Sequence, residues 1–465
     1  MSATTRRSFV TSLSAAPLIA RPARRPHLVL FLSDDHGWWD SPVYGSRVIR
    51  TPNMQKIAAQ GMVFEHAYTG GAICIPSRAI IASGLCSHRN GAIANGREMK
   101  PGIRTLPAYL SELGYRVAHF GKSHFVPREN YKDWESVPSE IKGEGPLNTD
   151  LDTAAFDKWL AANASDKSRP LCLIVCCHSP HVFWEQNQGY DPAAVELPPT
   201  FVDTPETRAD RCRYYTDITK MDTQLGEVYN SVRQKLGDNA LFLYTSDNGA
   251  QWPFGKWNLY DAGIRMPFLA CWPGVVKAGA RTGAMVHFTD ILPTFIELAG
   301  GKPPADIDGR SFANVLEGRS GKHRAEIFAA HTADDNSHMN CYPMRAVRTG
   351  RFKYILNLHP ELAYRTHIDR GGARDGESVW RSWIERSKTD PKALAILRRY
   401  HKRPEEELYD VIADPHETTN LAGKPEHART LKELRAKVRA WMDGMSDKGE
   451  VFGVPRPLGK ENLPI

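Results

Sequence analysis

The sequence predicts an α/β protein: an open, doubly wound mixed sheet followed by a smaller C-terminal α+β domain. Three observations predict it. Short, continuous apolar runs recur, HLVLFLS from His27, LCLIVCC from Leu171 and ALFLYTS from Ala240, as strands buried on both faces of a parallel sheet require. Segments of helical length and periodicity lie between them. Finally, the runs end in polar residues that can do chemistry, at the sheet edge where open α/β folds bind ligands.

At 465 residues, with 41% apolar and 24% charged side chains, the chain can bury one large core with a smaller companion. Domains are expected at 26–336 (catalytic) and 337–465 (α+β). The net charge of +7 is spread without a long basic run, which argues against nucleic acid and suits an anionic substrate. Eight cysteines in so long a chain are not a disulfide scaffold: Cys172, Cys176 and Cys177 share one apolar run, and Cys86, Cys212, Cys271 and Cys341 lack zinc spacing. The start, TTRRSFVTSLSAAPLIARPA, pairs Arg6 with Arg7 ahead of a short apolar stretch. This reads as a twin-arginine signal over residues 1–25, which implies the Tat export machinery as a partner and a periplasmic or secreted protein. It is too short to span a bilayer, and no other segment approaches the ~20 apolar residues needed, so no transmembrane segment is expected.

The run from His27 ends at Asp34-Asp35, adjacent carboxylates that repel unless a cation or hydrogen bonds compensate, or that simply cap a turn. TPNMQKIAAQGMVFEHAYT reads as a helix closed by Gly61 and then a strand. In AICIPSRAIIASG, Pro76 belongs in a first helical turn, so Cys74 lies just before or at a helix N-terminus with Arg78 one turn along its face. Taken alone, that is a buried thiol beside a surface arginine. TLPAYLSELG is a helix, and YRVAHFGKSH a strand ending at Gly121 with Lys122 and His124 beyond. Residues 133–148 read as a loop, and DTAAFDKWLAANA as a helix. LCLIVCC leads to His178-Ser-Pro-His181, where the proline argues for an extended loop presenting each histidine singly. A long helix spans 207–236, and ALFLYTS ends at Asp247-Asn248-Gly249 with Lys256 following. Beyond residue 336, MRAVRTGRFKYILNL signals a hairpin, 361–403 a charged, loop-rich insertion, and 425–445 a helix.

Four runs thus end in Asp34 and Asp35, Lys122 and His124, His178 and His181, and Asp247 and Asn248, which points to one crevice. Three carboxylates and an asparagine carbonyl form an all-oxygen set, suited to Ca²⁺ or Mg²⁺ and not to Zn²⁺.

The Cys-x-Pro-Ser-Arg frame at Cys74, with the order and spacing of these pieces, resembles the type I sulfatases over nearly the whole mature chain. Ile75 stands where that family usually has a small residue, and Ser83-Gly84 where it has Thr-Gly. The resemblance implies an alkaline-phosphatase-like fold, one Ca²⁺ held by Asp34, Asp35, Asp247 and Asn248, and Cys74 oxidised to formylglycine by a formylglycine-generating or anaerobic maturation enzyme. It also implies that Arg78, Lys122, His124, His181 and Lys256 hold the sulfate and move protons. A hydrated aldehyde would offer one hydroxyl to attack sulfur, with His181 as acid for the leaving group, and His124 would deprotonate the second hydroxyl so that sulfate is expelled. The implied substrate is a sulfated saccharide. HMNCYPMRAVRTGRFKYILNL and RPEEELYDVIADPHETTNLA resemble the heparan N-sulfatases, or sulfamidases, which implies the N-sulfate of glucosamine in heparan degradation. Lys256 stands where those enzymes carry arginine. The alternatives are an O-sulfatase on another sugar, a phosphonate or phosphate ester hydrolase of the same fold, and a glycan-binding protein without catalysis. The filled catalytic positions argue against the last.

Overall fold

The structure is a computed structural model that describes residues 24–125, 133–142, 149–334, 341–369 and 377–459. The twin-arginine segment falls almost entirely outside the described residues. The main sheet takes β1 (His27–Ser33), β2 (Met62–Tyr68), β3 (Arg116–Gly121), β4 (Glu135–Val137), β7 (Leu171–Cys176), β8 (Ala240–Ser246), β9 (Arg265–Met266), β10 (Phe268–Cys271) and β11 (Ala280–His287). A short hairpin of β5 (Glu140–Lys142) and β6 (Thr149–Leu151) stands apart from it.

The strand order is β11-β2-β10-β8-β1-β7-β3-β4, with β9 added to β2. β1 runs parallel to β7 and β8 and β3 parallel to β7, whereas β10 is antiparallel to both its neighbours, so the sheet is mixed, as expected. Alternation along β1 feeds two cores: Val29 and Phe31 join one, Leu28, Leu30 and Leu32 the other. The first core is closed by Ile218, Met221, Leu225 and Val228 of the Pro205–Leu236 helix, the second by Ile80 and Ile81 of the Cys74–Ser83 helix and by the Ile291–Leu298 helix. This is the doubly wound arrangement. Gly226 does not break the long helix; a Cβ there would lie 2.3 Å from the Asn53 side chain, so the glycine serves close packing.

A second, antiparallel sheet orders β12 (Glu326–His331), β13 (Met344–Thr349), β14 (Phe352–Asn357) and β15 (Glu406–Asp410). The β13–β14 hairpin turns at the Thr-Gly pair, and Leu431, Leu434, Val438 and Met442 of the Ala428–Gly444 helix cover one face. β12 lies ahead of the boundary expected at 336/337. Two sequence expectations need correction. The stretch 133–148 holds β4 and β5, and 361–403 carries the helices Glu377–Ser387 and Pro391–His401. In those helices Val379, Trp380 and Trp383, and Ala393, Leu397 and Tyr400, form buried stripes that dense surrounding charge hides from a composition reading.

Candidate active site

Strand register alone assembles half of the site. Ser33 pairs with Ser246, which sets Asp34 beside Asp247, and Gly121 pairs with Cys176, which brings Lys122 to the same edge. Gly121 has φ +75°, and a Cβ there would strike the Cys176 carbonyl at 2.0 Å, so only glycine lets β3 turn out at this point. β2 runs parallel to β8 through β10, so its end lies at this edge too, and the Cys74–Ser83 helix starts a few residues later with Cys74 as its first residue. Ser77 fixes that helix to the strand ends: its hydroxyl donates to the Asp247 carbonyl at 2.5 Å and accepts from Thr69 at 2.8 Å.

The side chains interlock. Arg78, fully buried, donates from Nε to Asp247 at 2.8 Å and from Nη2 to Asp34 at 3.0 Å. Lys122 pairs with Asp34 and lies 4.0 Å from the Cys74 sulfur, which is itself 3.6 Å from Asp34 Oδ1. Lys256 bonds Asp35 at 2.8 Å, and His181 Nε2 stands 3.8 Å from the same carboxylate. Asn248 donates from Nδ2 to Asp35 Oδ1 at 2.6 Å. His181 Nδ1 lies 2.6 Å from the Val182 carbonyl. A carbonyl only accepts, so Nδ1 carries the proton and Nε2 is the working end. His124 stays exposed at the rim, close enough to Lys122, Arg78 and Asp34 to feel their charge.

Oxygens of Asp34, Asp35 and Asp247 lie within 4.8 Å of one another, and all three residues are fully buried. Burial works against the Asp34 charge, but Lys122, His181 and Arg78 hold its carboxyl well below the usual range. Burial, opposed by Lys256 but helped by the neighbouring carboxylates, pushes Asp35 up to about 7. Burial, together with Asp34, also raises the Cys74 thiol above its ordinary value. Among the buried polar atoms that have no hydrogen-bond partner within the described residues are two at this strand-end cluster, Asn248 Oδ1 and Arg78 Nη1. A free acceptor next to three crowded carboxylates fits a hard divalent cation. A free guanidinium N–H fits an oxyanion.

The sequence-named residues therefore meet at one place, with His124 at its margin, except His178, whose Nε2 pairs with Glu140 at 2.7 Å. Sequence reasoning passed over Thr69, Asn95, Asp334 and His367, which support the site from outside. The stretch that resembles the heparan N-sulfatases, and so bears on the sugar, includes Tyr342 to Arg345. Both side chains are buried: Tyr342 packs edge-on to Tyr364, and Arg345 grips Asp447 through two nitrogens and contacts His88. That segment supports the second sheet and does not line the crevice with these two side chains.

Known proteins share sequence and fold with this chain. The description "Sulfatase" matches residues 26–301, and "N-sulphoglucosamine sulphohydrolase, C-terminal" matches residues 249–365. An ulvan-active sulfatase of Formosa agariphila is 30% identical over 95% of this chain and 85% of its own. The human N-sulphoglucosamine sulphohydrolase is 29% identical over 90% of each chain. Among solved structures, one in complex with its substrate D-glucosamine-2-N,6-O-disulfate superposes with a TM-score of 0.67 at 21% identity, covering 91% of this chain and 99% of the other. That likeness establishes the shared fold. With the family match spanning the whole strand-end cluster, the chain belongs to the sulfatase family and is a sulfuric ester hydrolase.

Proposed function

We propose that this sulfatase releases the N-sulfate of glucosamine from heparan- or heparin-type saccharides, using formylglycine at position 74 and one Ca²⁺ among Asp34, Asp35, Asp247 and Asn248. The convergence of Cys74, three cations and His181 on one carboxylate cluster carries the reaction class. The match of the sulphoglucosamine C-terminal description, with the human relative aligned along nearly its full length, supports the sugar.

A thiol held above its ordinary value is a poor nucleophile, which supports modification of Cys74. The two implied groups supply a hydroxyl nucleophile and a Lewis acid. The chain supplies the rest. Arg78, with its open Nη1, and the ammoniums of Lys122 and Lys256 neutralise charge building on the sulfate oxygens. His181, oriented by the Val182 carbonyl, presents Nε2 to the leaving group; to act as acid it must carry a proton on Nε2 as well as on Nδ1, a charge that burial, Lys256 and Lys122 oppose and Asp34 favours. An N-sulfate departs as an amine that needs a proton as the S–N bond breaks, so this histidine matters more here than with an activated aryl ester. His124, at the rim, would take the proton of the second hydroxyl so that sulfate is expelled. Export through the twin-arginine route into the periplasm or medium completes the proposal.

Release of sulfate from N-sulfoglucosamine is compared with release from 6-O-sulfated N-acetylglucosamine, alongside mass spectrometry of the Cys74 peptide. Faster turnover of the N-sulfate by formylglycine-bearing protein is expected. Preference for the O-sulfated sugar would remove the N-sulfate assignment, and an active fraction holding only unmodified thiol would remove formylglycine.

A further inference from the structure

The Cys74–Ser83 helix has no cap of its own. Ile73 precedes it and offers no side-chain acceptor to the open N–H groups of the first turn. The Ile75 N–H instead donates to Asn95 Oδ1, 3.1 Å away. A backbone N–H can only donate, which fixes the amide's orientation, and its Nδ2 then donates to Asp334 Oδ1 at 2.9 Å. The Asn95 N–H also donates to the Asp334 carbonyl at 2.6 Å, so the two residues are joined twice.

Asp334 is buried just beyond β12, and its second oxygen lies 3.2 Å from His367 Nδ1. The His367 ring stacks on Trp257 at 5.2 Å and 23°. The backbone N–H of Trp257 donates to the Ala72 carbonyl at 2.8 Å. Asp334 thus reaches two walls of the crevice: the turn that carries position 74, through Asn95, and the turn that carries Lys256, through His367 and Trp257.

We infer that Asn95 and Asp334 are positioning residues for the sulfatase reaction, a bridge by which the second sheet sets position 74 in line with Lys256. This rests on position 74 bearing the nucleophile. Neither residue touches the reacting atoms; each acts through the backbone or side chain that it holds. Small displacements of a reacting group cost rate far more than binding, because alignment is what is lost.

The test uses the full chain with nitrophenyl sulfate, and turnover is counted per formylglycine-bearing molecule so that maturation and folding are factored out. Asn95→Ala is expected to lower kcat by about tenfold to a hundredfold with KM within about twofold. Asn95→Asp keeps the acceptor for Ile75 but sets a carboxylate against Asp334, and it should be slow as well. Adding Asp334→Asn reverses the donor and acceptor across the bridge and should restore much of the rate. Wild-type kcat in Asn95→Ala, or a double variant no faster than Asn95→Asp, would overturn the inference. A kcat unchanged per modified molecule with a lowered Tm would show a merely structural contact and would also overturn it. A wild-type chain that turns over without formylglycine would overturn the reading of position 74 and this inference with it.

Discussion

Two buried charge clusters lie in this molecule, and they are built on different rules. At the strand ends, Asp34, Asp35 and Asp247 crowd together against Arg78, Lys122 and Lys256. Where the two sheets meet, Lys353 sits between Asp261 at 2.5 Å and Glu417 at 2.9 Å, with Arg348 3.5 Å from Asp261. The second cluster alternates sign and is stitched to the backbone: Lys353 donates to the Leu259 carbonyl at 3.0 Å, and the Asp261 N–H donates to Glu417 at 2.5 Å. The first sets like charges side by side and leaves Asn248 Oδ1 and Arg78 Nη1 without partners among the described residues. Its three carboxylates and three cations balance as they stand, so a divalent cation would leave a net positive site for an anion. Buried atoms without hydrogen-bond partners among the described residues occur in both clusters, at Arg348 Nε, Asp261 Oδ1 and Glu417 Oε1 in the second. What separates the two is charge order: one alternates sign along a run of ion pairs, and the other crowds like charges at a strand edge where a ligand can enter.

The largest effect that would sharpen this contrast is Asp247→Ala, expected to lower sulfate release at least about a hundredfold. Chelation should lower wild-type activity less steeply, and full activity of the variant in excess chelator would remove Asp247 from metal binding. Next comes Lys353→Met, which strands two buried carboxylates and should cost about 3–5 kcal/mol of stability, read from denaturant unfolding, while kcat per folded molecule stays near wild type. If it abolished kcat without loss of stability, the second cluster would not be structural. The smallest effect is one of pH. Burial, with Asp261 beside it, lifts Glu417 from 4.5 to about 7 against the pull of Lys353. A raised carboxyl contributes stability that is present below 4.5 and lost as pH rises through about 7. The Tm difference between Glu417→Gln and wild type should therefore move in the variant's favour from pH 4.5 to 8, and a flat difference would contradict this.

Much of the site was legible because its residues follow apolar runs directly, and a parallel register turns "just after the strand" into "side by side". Asp34 and Asp247 are 213 positions apart in the chain yet adjacent through Ser33 and Ser246. The placement of Cys74 at a helix start with Arg78 one turn along was legible locally, from a proline in the first turn, but their role came only from the resemblance of the Cys-x-Pro-Ser-Arg frame, and Arg78 is fully buried where the local reading made it a surface residue. Asn95, Asp334 and His367 were not, since a single amide, carboxylate or imidazole in a loop carries no periodicity, and their meeting depends on how two sheets dock. The same limit applies to Arg345: the segment was distinctive, but only packing reveals that its guanidinium is tied to Asp447. The helices within 361–403 were missed because charge on their outer faces outweighed the apolar stripes that bury them.

The central place of β1 bears on how the protein is made. Its Leu28 pairs with Cys172 and its His27 with Ala240, so the earliest strand waits for both neighbours. At ~5–20 residues per second of synthesis, the second edge of β1 stays open for about ten to forty seconds after the strand emerges. Through that interval a seven-residue apolar strand, HLVLFLS, is exposed on a growing chain, with the backbone donors and acceptors that recruit other strands. Any chain terminated before Ala240 keeps that edge open for good, so nonsense truncations and early translational stalls in this region should yield aggregates, not partial folds.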